Sequence, residues 1–196
     1  MTLALCNISK YYGEKCVLNE FSLELSTENP IALMGPSGCG KTTVGNIFLG
    51  LAQPDAGRVL DFTGRCNSAV FQEDRLLEHL NALQNVRLVC PPSFSAEMAL
   101  ETLTMAGLSS QDMIGRSVAT LSGGQRRRVS IVRALLQPFD FLLLDEPMSG
   151  LDDDARALMM ELIHSRIEGR LVLLITHDAT DATALGAHIV HLQSAP

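Results

Sequence analysis

PIALMGPSGCGKTTVGNIFLGL, running from Pro30 to Leu51, decides how the rest of the chain is read. PIALM is an unbroken apolar run, as expected for a strand buried on both faces. From Lys41 the apolar residues recur at helical spacing, and the pattern stops near Gly50, where a glycine ends helices readily. Between strand and helix, GPSGCGKT (Gly35–Thr42) matches G-x-x-x-x-G-K-[ST] in full. Glycines there let consecutive backbone N–H groups converge on a β-phosphate, and the following helix adds its positive end. Lys41 is placed to reach the β/γ oxygens, and the Thr42 hydroxyl to ligate Mg²⁺. The stretch predicts an α/β protein that binds a nucleoside triphosphate.

The flanking sequence fits that core. LALCNIS and VLNEFSLELS alternate, with Phe21, Leu23 and Leu25 on one side, and predict antiparallel strands with one wet face. GRVLDF and SAVFQ read as two further strands. From about Glu78 to Val118 the pattern turns helical, broken once at Pro91-Pro92. AEMALETLTMAGL, from Ala96, is a helix that stops at Gly107. In the second half, FDFLLLDEP and LVLLITHD are buried strands, and HIVHL closes the sheet. Asp153 to Ile167 predicts an amphipathic helix with Leu158, Met159, Leu162 and Ile163 as its stripe. The expected architecture is a single domain over 1–196: an α/β P-loop NTPase core with a mixed, largely parallel sheet. An N-terminal antiparallel β part precedes it, and a helical lobe is inserted at roughly 76–133.

Composition narrows the class. The chain has 196 residues, 46% hydrophobic but only 5% aromatic, which suits an aliphatic α/β core better than a β-sandwich. The net charge of −7 argues against nucleic acid as a principal partner. Cys6, Cys16, Cys39, Cys66 and Cys90 are scattered without a C-x-x-C pair, as in a reduced, intracellular protein. Cys39 reads as a filler of the phosphate loop. No signal-peptide pattern opens the chain, and no apolar run approaches the ~20 residues that span a bilayer. The arginine cluster Arg126, Arg127 and Arg128 is either a solvated helix face or a set of specific contacts.

Five more positions bear chemistry. LLLDEP ends a buried strand, where ligands sit in open α/β sheets. Asp145 would hold magnesium directly or through water, and Glu146 would polarise an attacking water; strand alternation implies different roles for the two. His177, at the end of LVLLIT, is placed to hydrogen-bond a γ-phosphate. The Gln72 amide, after a short strand, could contact magnesium or the water. The Tyr12 ring could stack on a base or simply pack. A second Ser-Gly-Gly turn, in LSGGQRRRVSIVRALL from Leu121, also leads into a helix, although one phosphate loop suffices for one nucleotide.

Taken together, Tyr12, GPSGCGKT, Gln72, LSGGQ, LLLDEP, SGLD (Ser149–Asp152) and His177 resemble, in order, the ATP-binding subunit of an ABC transporter. LSGGQ separates that family from other P-loop ATPases. The resemblance implies two such chains paired head to tail with two ATP molecules between them. Each ATP would lie on Tyr12, Gly35, Pro36, Ser37, Gly38, Cys39, Gly40, Lys41, Thr42 and Thr43 of one copy. Ser122, Gly123, Gly124 and Gln125 of the other copy would cap its γ-phosphate. That explains the second loop. Mg²⁺ would be held by Thr42, Gln72 and Asp145, with Glu146 as general base, His177 as γ-phosphate sensor and Asp152 reaching across the dimer.

The resemblance also implies an integral membrane permease docked near Gln72 to Val86, and a solute-binding protein acting through the permease. The subunit would then be cytoplasmic and peripheral on the inner face of the membrane. VFQEDRLLEHLNALQNV is similar to the equivalent stretch in importers of nitrate, sulfonates and related small solutes. An exporter or lipoprotein-release ATPase is a further reading, as is a soluble, non-transport ATPase such as an iron–sulfur assembly component, or a binding module without turnover. Three departures stand out: SGLD in place of SALD, a short segment between Gly57 and Gln72, and little sequence after HIVHL for a regulatory domain.

Overall fold

The structure, a computed structural model, describes residues 3–61, 64–91 and 93–195. Phe62, the end of the predicted strand GRVLDF, and Pro92 of the Pro-Pro break lie outside the described residues. The chain divides into two compact units: residues up to 67 with 140–146 and 169 onward, and residues 68–139 with 147–168.

The first unit holds two sheets. β1 (Leu3–Tyr12) and β2 (Lys15–Leu25) pair antiparallel through the Gly13-Glu14 turn, where Gly13 takes φ 61°. Leu3 faces Leu25 and Leu5 faces Leu23, which puts the apolar sets of both strands on the buried side. β4 (Ala56–Leu60) adds antiparallel to the other edge of β1. The second sheet is parallel here, with β6 (Phe141–Asp145), β7 (Leu171–Ile175), β3 (Ile31–Met34) and β8 (His188–His191) side by side in that order. Every residue of β6 and β7 is buried, as their unbroken apolar runs require. Helix α1 (Lys41–Phe48) follows β3 and packs on these strands through Gly45. A Cβ at Gly45 would lie 2.9 Å from Leu143 Cδ2 and 3.3 Å from Ile175 Cδ1, so only glycine allows this approach.

The second unit is mostly helical. β5 (Asn67–Val70) leads into it, stopping before Phe71 and Gln72. α2 (Ala82–Arg87) opens with a reciprocal capping box between Asn81 and Gln84, and α3 (Ala96–Met105) with a Ser95 cap. Asn85 is fully buried but satisfied: its Oδ1 accepts from the Leu77 N–H at 2.8 Å and its Nδ2 donates to the Asn81 carbonyl at 3.0 Å. A π-turn (Gln111–Gly115) and a 3₁₀ turn (Val118–Thr120) connect to α4 (Gly123–Leu136). α4 buries Val129, Ile131, Val132, Leu135 and Leu136.

One element differs from the sequence reading, and one open alternative is decided. α5 runs only Asp153–His164, and Leu158, expected in its apolar stripe, is 40% exposed. Ala155, Met159, Leu162 and Ile163 form the buried side, so the stripe is rotated by about one position. The arginine cluster makes specific contacts throughout. Arg127 is 3% exposed and donates to the Phe71 carbonyl at 2.6 Å and to Asp74 at 3.3 Å. Arg126 lies 3.6 Å from Asp74, and Arg128 donates to the Ala106 and Gly107 carbonyls. Among the described residues, no helix is long and apolar enough to cross a membrane.

Candidate functional site

In the first unit the parallel strands β3, β6 and β7 end at one edge, and each delivers part of a site. β3 feeds the phosphate loop. Gly35 is required by space: a Cβ there would lie 2.3 Å from the Leu192 carbonyl oxygen and 2.9 Å from Cys39 Sγ. Gly38 and Gly40 take φ 77° and 108°, the left-handed region that turns the chain into α1. Pro36, Ser37 and Gly38 are exposed, whereas Cys39 is buried beneath the loop, as its reading as a filler anticipates. Lys41 Nζ donates to the carbonyls of Gly35 and Pro36 at 2.8 Å each, which folds the ammonium over the loop. Thr43 is half-buried behind it.

From β6 come the carboxylates. The Thr42 hydroxyl donates to Asp145 Oδ2 at 2.9 Å, so the first residue pair expected at a magnesium ion is already in contact. This is a hard oxygen donor set of the kind Mg²⁺ takes. Glu146 is not the next strand residue. It follows the end of β6 in the left-handed region at φ 50°, with its N–H donating to the Ile175 carbonyl at 2.9 Å. Simple strand alternation therefore does not describe it; a backbone turn sets its direction, and a non-glycine residue held there marks stored strain at a site.

β7 supplies His177, whose Nδ1 lies 2.8 Å from Glu146 Oε2. Hydrogen bonding to Glu146, then its charge, raises the imidazole pKa above the ordinary value of 6.5. Tyr12 ends β1 as an exposed residue, with Lys10 Nζ 5.5 Å from its ring centroid.

The second unit carries the other predicted residues. Ser122 caps α4: its Oγ accepts from the Gln125 N–H at 3.2 Å, and Gln125 Oε1 accepts from the Ser122 N–H at 2.9 Å. Ser122 and Gly123 are exposed, and nothing lies within 4 Å of where a Gly123 Cβ would stand. Gly124 packs against the SGLD turn, its would-be Cβ 3.3 Å from the Gly150 carbonyl oxygen. Gly150 itself takes φ 76°, which gives the departure from SALD a backbone reason. Asp152 caps α5 by accepting from the Ala155 N–H at 2.8 Å. Gln72 is exposed and lines a groove of about 450 Å³ with Glu73, Asp74, Arg75, Glu78 and Arg126.

Sequence reading missed Asp112. Its carboxylate accepts from Gln125 Nε2 at 3.0 Å, from the Ser109 hydroxyl at 2.8 Å and from Arg116. The signal was present: Ser109 to Asp112 has the [ST]-x-x-[DE] spacing of a cap.

Comparison with known proteins identifies the family and the fold. The profile of the family described as ABC transporter matches residues 18–149. The aliphatic sulfonates import ATP-binding protein SsuB of Pectobacterium atrosepticum is 38% identical over 199 residues, spanning 97% of this chain and 74% of the relative. The taurine import ATP-binding protein TauB of Pseudomonas aeruginosa is 38% identical over 195 residues, spanning 93% and 73%. Among solved structures, the dimeric bacterial ABC transporter cassette MJ0796 superposes with a TM-score of 0.85 at 32% identity, over 97% of this chain and 94% of that one. The same cassette as a dimer in a post-hydrolysis state, bound to ADP and Pi, gives 0.84 at 30% identity over 99% and 97%.

Proposed function

The chain belongs to the ABC transporter family, and from that premise we propose that it is the ATP-binding subunit of a small-solute importer. It hydrolyses ATP in a head-to-tail dimer and so drives an integral permease. The observation that carries the reading is the meeting of two side-chain pairs, Thr42 with Asp145 and Glu146 with His177, at one edge of one sheet beside the phosphate loop. Import and small solutes are supported by relatives whose names specify sulfonate and taurine import.

The residues divide the work. Tyr12 stacks on the adenine. Lys41, the loop Gly35 to Thr42 through its backbone N–H groups (Pro36, which has none, only shaping the turn), and Thr43 hold the phosphates. Thr42, Asp145 and Gln72 would hold Mg²⁺, which would supply positive charge against the developing charge of the transferred phosphoryl group. Glu146 accepts the proton of the attacking water, and His177 moves from Glu146 to a γ-phosphate oxygen. Ser122, Gly123, Gly124 and Gln125 of a second copy cap that γ-phosphate with a helix N-terminus, and Asp152 reaches across the dimer. The segment near Gln72 to Val86 receives the permease, a solute-binding protein acts through the permease, and the subunit sits on the inner face of the membrane.

The deciding experiment combines turnover with capture. Concentrated wild-type protein hydrolyses ATP, while Glu146→Gln loses about 10²–10⁴-fold in rate yet binds ATP and accumulates as a dimer. Tagged Glu146→Gln with ATP then retains a polytopic permease from detergent-solubilised membranes. Normal hydrolysis by the mutant would remove Glu146 from its role. Recovery of soluble partners alone would remove the transport reading.

A further inference from the structure

We propose that Asp112 is a positioning residue for the second loop: it orients the Gln125 carboxamide and thereby locks the Ser122 cap in the form that receives a phosphate. The inference rests on the assignment of Ser122 to Gln125 as the cap on a second copy's ATP.

The geometry is a three-residue chain. Gln125 Nε2 donates to Asp112 Oδ2 at 3.0 Å, and Gln125 Oε1 accepts from the Ser122 N–H at 2.9 Å. The two ends of a carboxamide have nearly the same shape and differ only in donating or accepting. An ionised carboxylate only accepts, so it selects the NH₂ end and leaves the oxygen for Ser122. Reversing the amide would set oxygen against oxygen at Asp112 and N–H against N–H at Ser122. The consequence reaches the hydroxyl. Ser122 Oγ is held as acceptor by the Gln125 N–H at 3.2 Å, so its own proton stays free to donate outward, beside the open side of Gly123.

Asp112 is built to hold this position. Its side chain is 11% exposed and receives the Ser109 hydroxyl at 2.8 Å, the Ser109 N–H at 3.3 Å and the Arg116 guanidinium. The Asp112 N–H in turn donates to Ser109 Oγ at 3.2 Å. Burial works to raise the carboxyl pKa, but the hydrogen bonds from Ser109 and Arg116 prevail and hold it below the usual range. Asp112 therefore stays a pure acceptor at neutral pH. Its place in the π-turn Gln111–Gly115 ties the segment after α3 to the first turn of α4.

The test exploits the polarity of the pair, in full-length protein carrying Glu146→Gln. Three changes are added to that parent: Asp112→Ala, Gln125→Glu, and Asp112→Asn combined with Gln125→Glu. Gln125→Glu sets carboxylate against carboxylate, whereas the double change lets the new amide at position 112 donate and restores the chain with its polarity reversed. ATP-driven dimerisation is read by analytical ultracentrifugation, nucleotide affinity of the monomer with a fluorescent ATP analogue, and folding by circular-dichroism melts. Asp112→Ala and Gln125→Glu should each weaken dimerisation at least about tenfold, the loss expected for a charged hydrogen bond. Monomer affinity should not change in Asp112→Ala, and the double change should recover dimerisation to within about threefold of the parent.

Rescue of this kind cannot come from a merely structural Asp112. Parent-like dimerisation by Asp112→Ala, or a double change as defective as Gln125→Glu, would overturn the proposal. Should the parent itself fail to dimerise with ATP, the cap assignment falls. The Gln125 side-chain NH₂ resonances then still decide the orientation. If they are protected and shifted in the parent and free in Asp112→Ala, the positioning stands; if they are alike in both, it falls.

Discussion

Glu146 and His177 sit 2.8 Å apart, Oε2 to Nδ1, each just beyond the end of a neighbouring parallel strand. The candidate base is thus held by the candidate sensor. The pair raises the His177 pKa above 6.5 through the hydrogen bond and charge of Glu146. A group raised on folding stabilises fully below its unfolded value and loses that contribution as pH rises through the native one. With the His177 side chain 78% exposed, solvent screens the energy, so titration is the sensitive readout. In nucleotide-free protein, NMR titration should place the His177 midpoint above 6.5, and Glu146→Gln should bring it down. Equal midpoints in the two proteins would show that the pair does not persist in solution.

Thr42→Val keeps the shape of the side chain and removes the hydroxyl that donates to Asp145 at 2.9 Å. The Asp145 carboxylate is 3% exposed, and its ion would lose one oxygen donor. Calorimetry with and without Mg²⁺ should find ATP binding little changed in metal-free buffer. The Mg²⁺-dependent gain in affinity should fall about 10–100-fold, the range seen when metal sites lose a supporting group. An unchanged magnesium dependence would remove Thr42 from the metal site.

The parallel core was legible in the sequence because PIALM, FLLLD and LVLLI leave nothing for solvent to face. The phosphate loop was legible because its glycines answer local demands, such as the left-handed backbone at Gly38 and Gly40. Reading failed where a residue's environment is set by distant chain. Arg127 reads equally as a solvated charge or a specific contact until Phe71 and Asp74, more than fifty positions away, decide it. Leu158 looks like core by spacing, yet period alone leaves the rotation of a helix uncertain by one residue. The direction of Glu146 depends on a left-handed turn that no alternation rule anticipates. Asp112 was overlooked because Gln125 lies thirteen positions on, across two turns of irregular helix.

Gly45 offers a test of the packing that carries the loop. Gly45→Val would force new methyl groups against Leu143 and Ile175, which line a core with no slack. Overpacking of this kind costs about 1–3 kcal/mol, and a chain of this size loses roughly 2–4 °C of melting temperature per kcal/mol. Circular-dichroism melts should therefore show a fall of about 2–12 °C. Because α1 begins at Lys41, ATP affinity should fall as well. A Gly45→Val protein as stable as wild type would mean that α1 shifts outward easily, and that the close approach is not what positions the loop.

Gly123→Asp separates stability from function by sign. Nothing stands within 4 Å of the new Cβ, and Gly123 has no left-handed backbone to strain, so the fold accepts the side chain. A carboxylate in the first turn of α4 also interacts favourably with the helix N-terminus, by about 0.3–1 kcal/mol. The same charge would face the γ-phosphate of a second copy's ATP, where repulsion and lost close approach act together. Melting temperature should hold or rise slightly, and nucleotide binding by the monomer should be unchanged. ATP-driven dimerisation in the Glu146→Gln background should be abolished in sedimentation runs. A destabilised protein would mean that Gly123 serves the fold; a stable protein that dimerises with ATP as its parent does would mean that no phosphate approaches this turn.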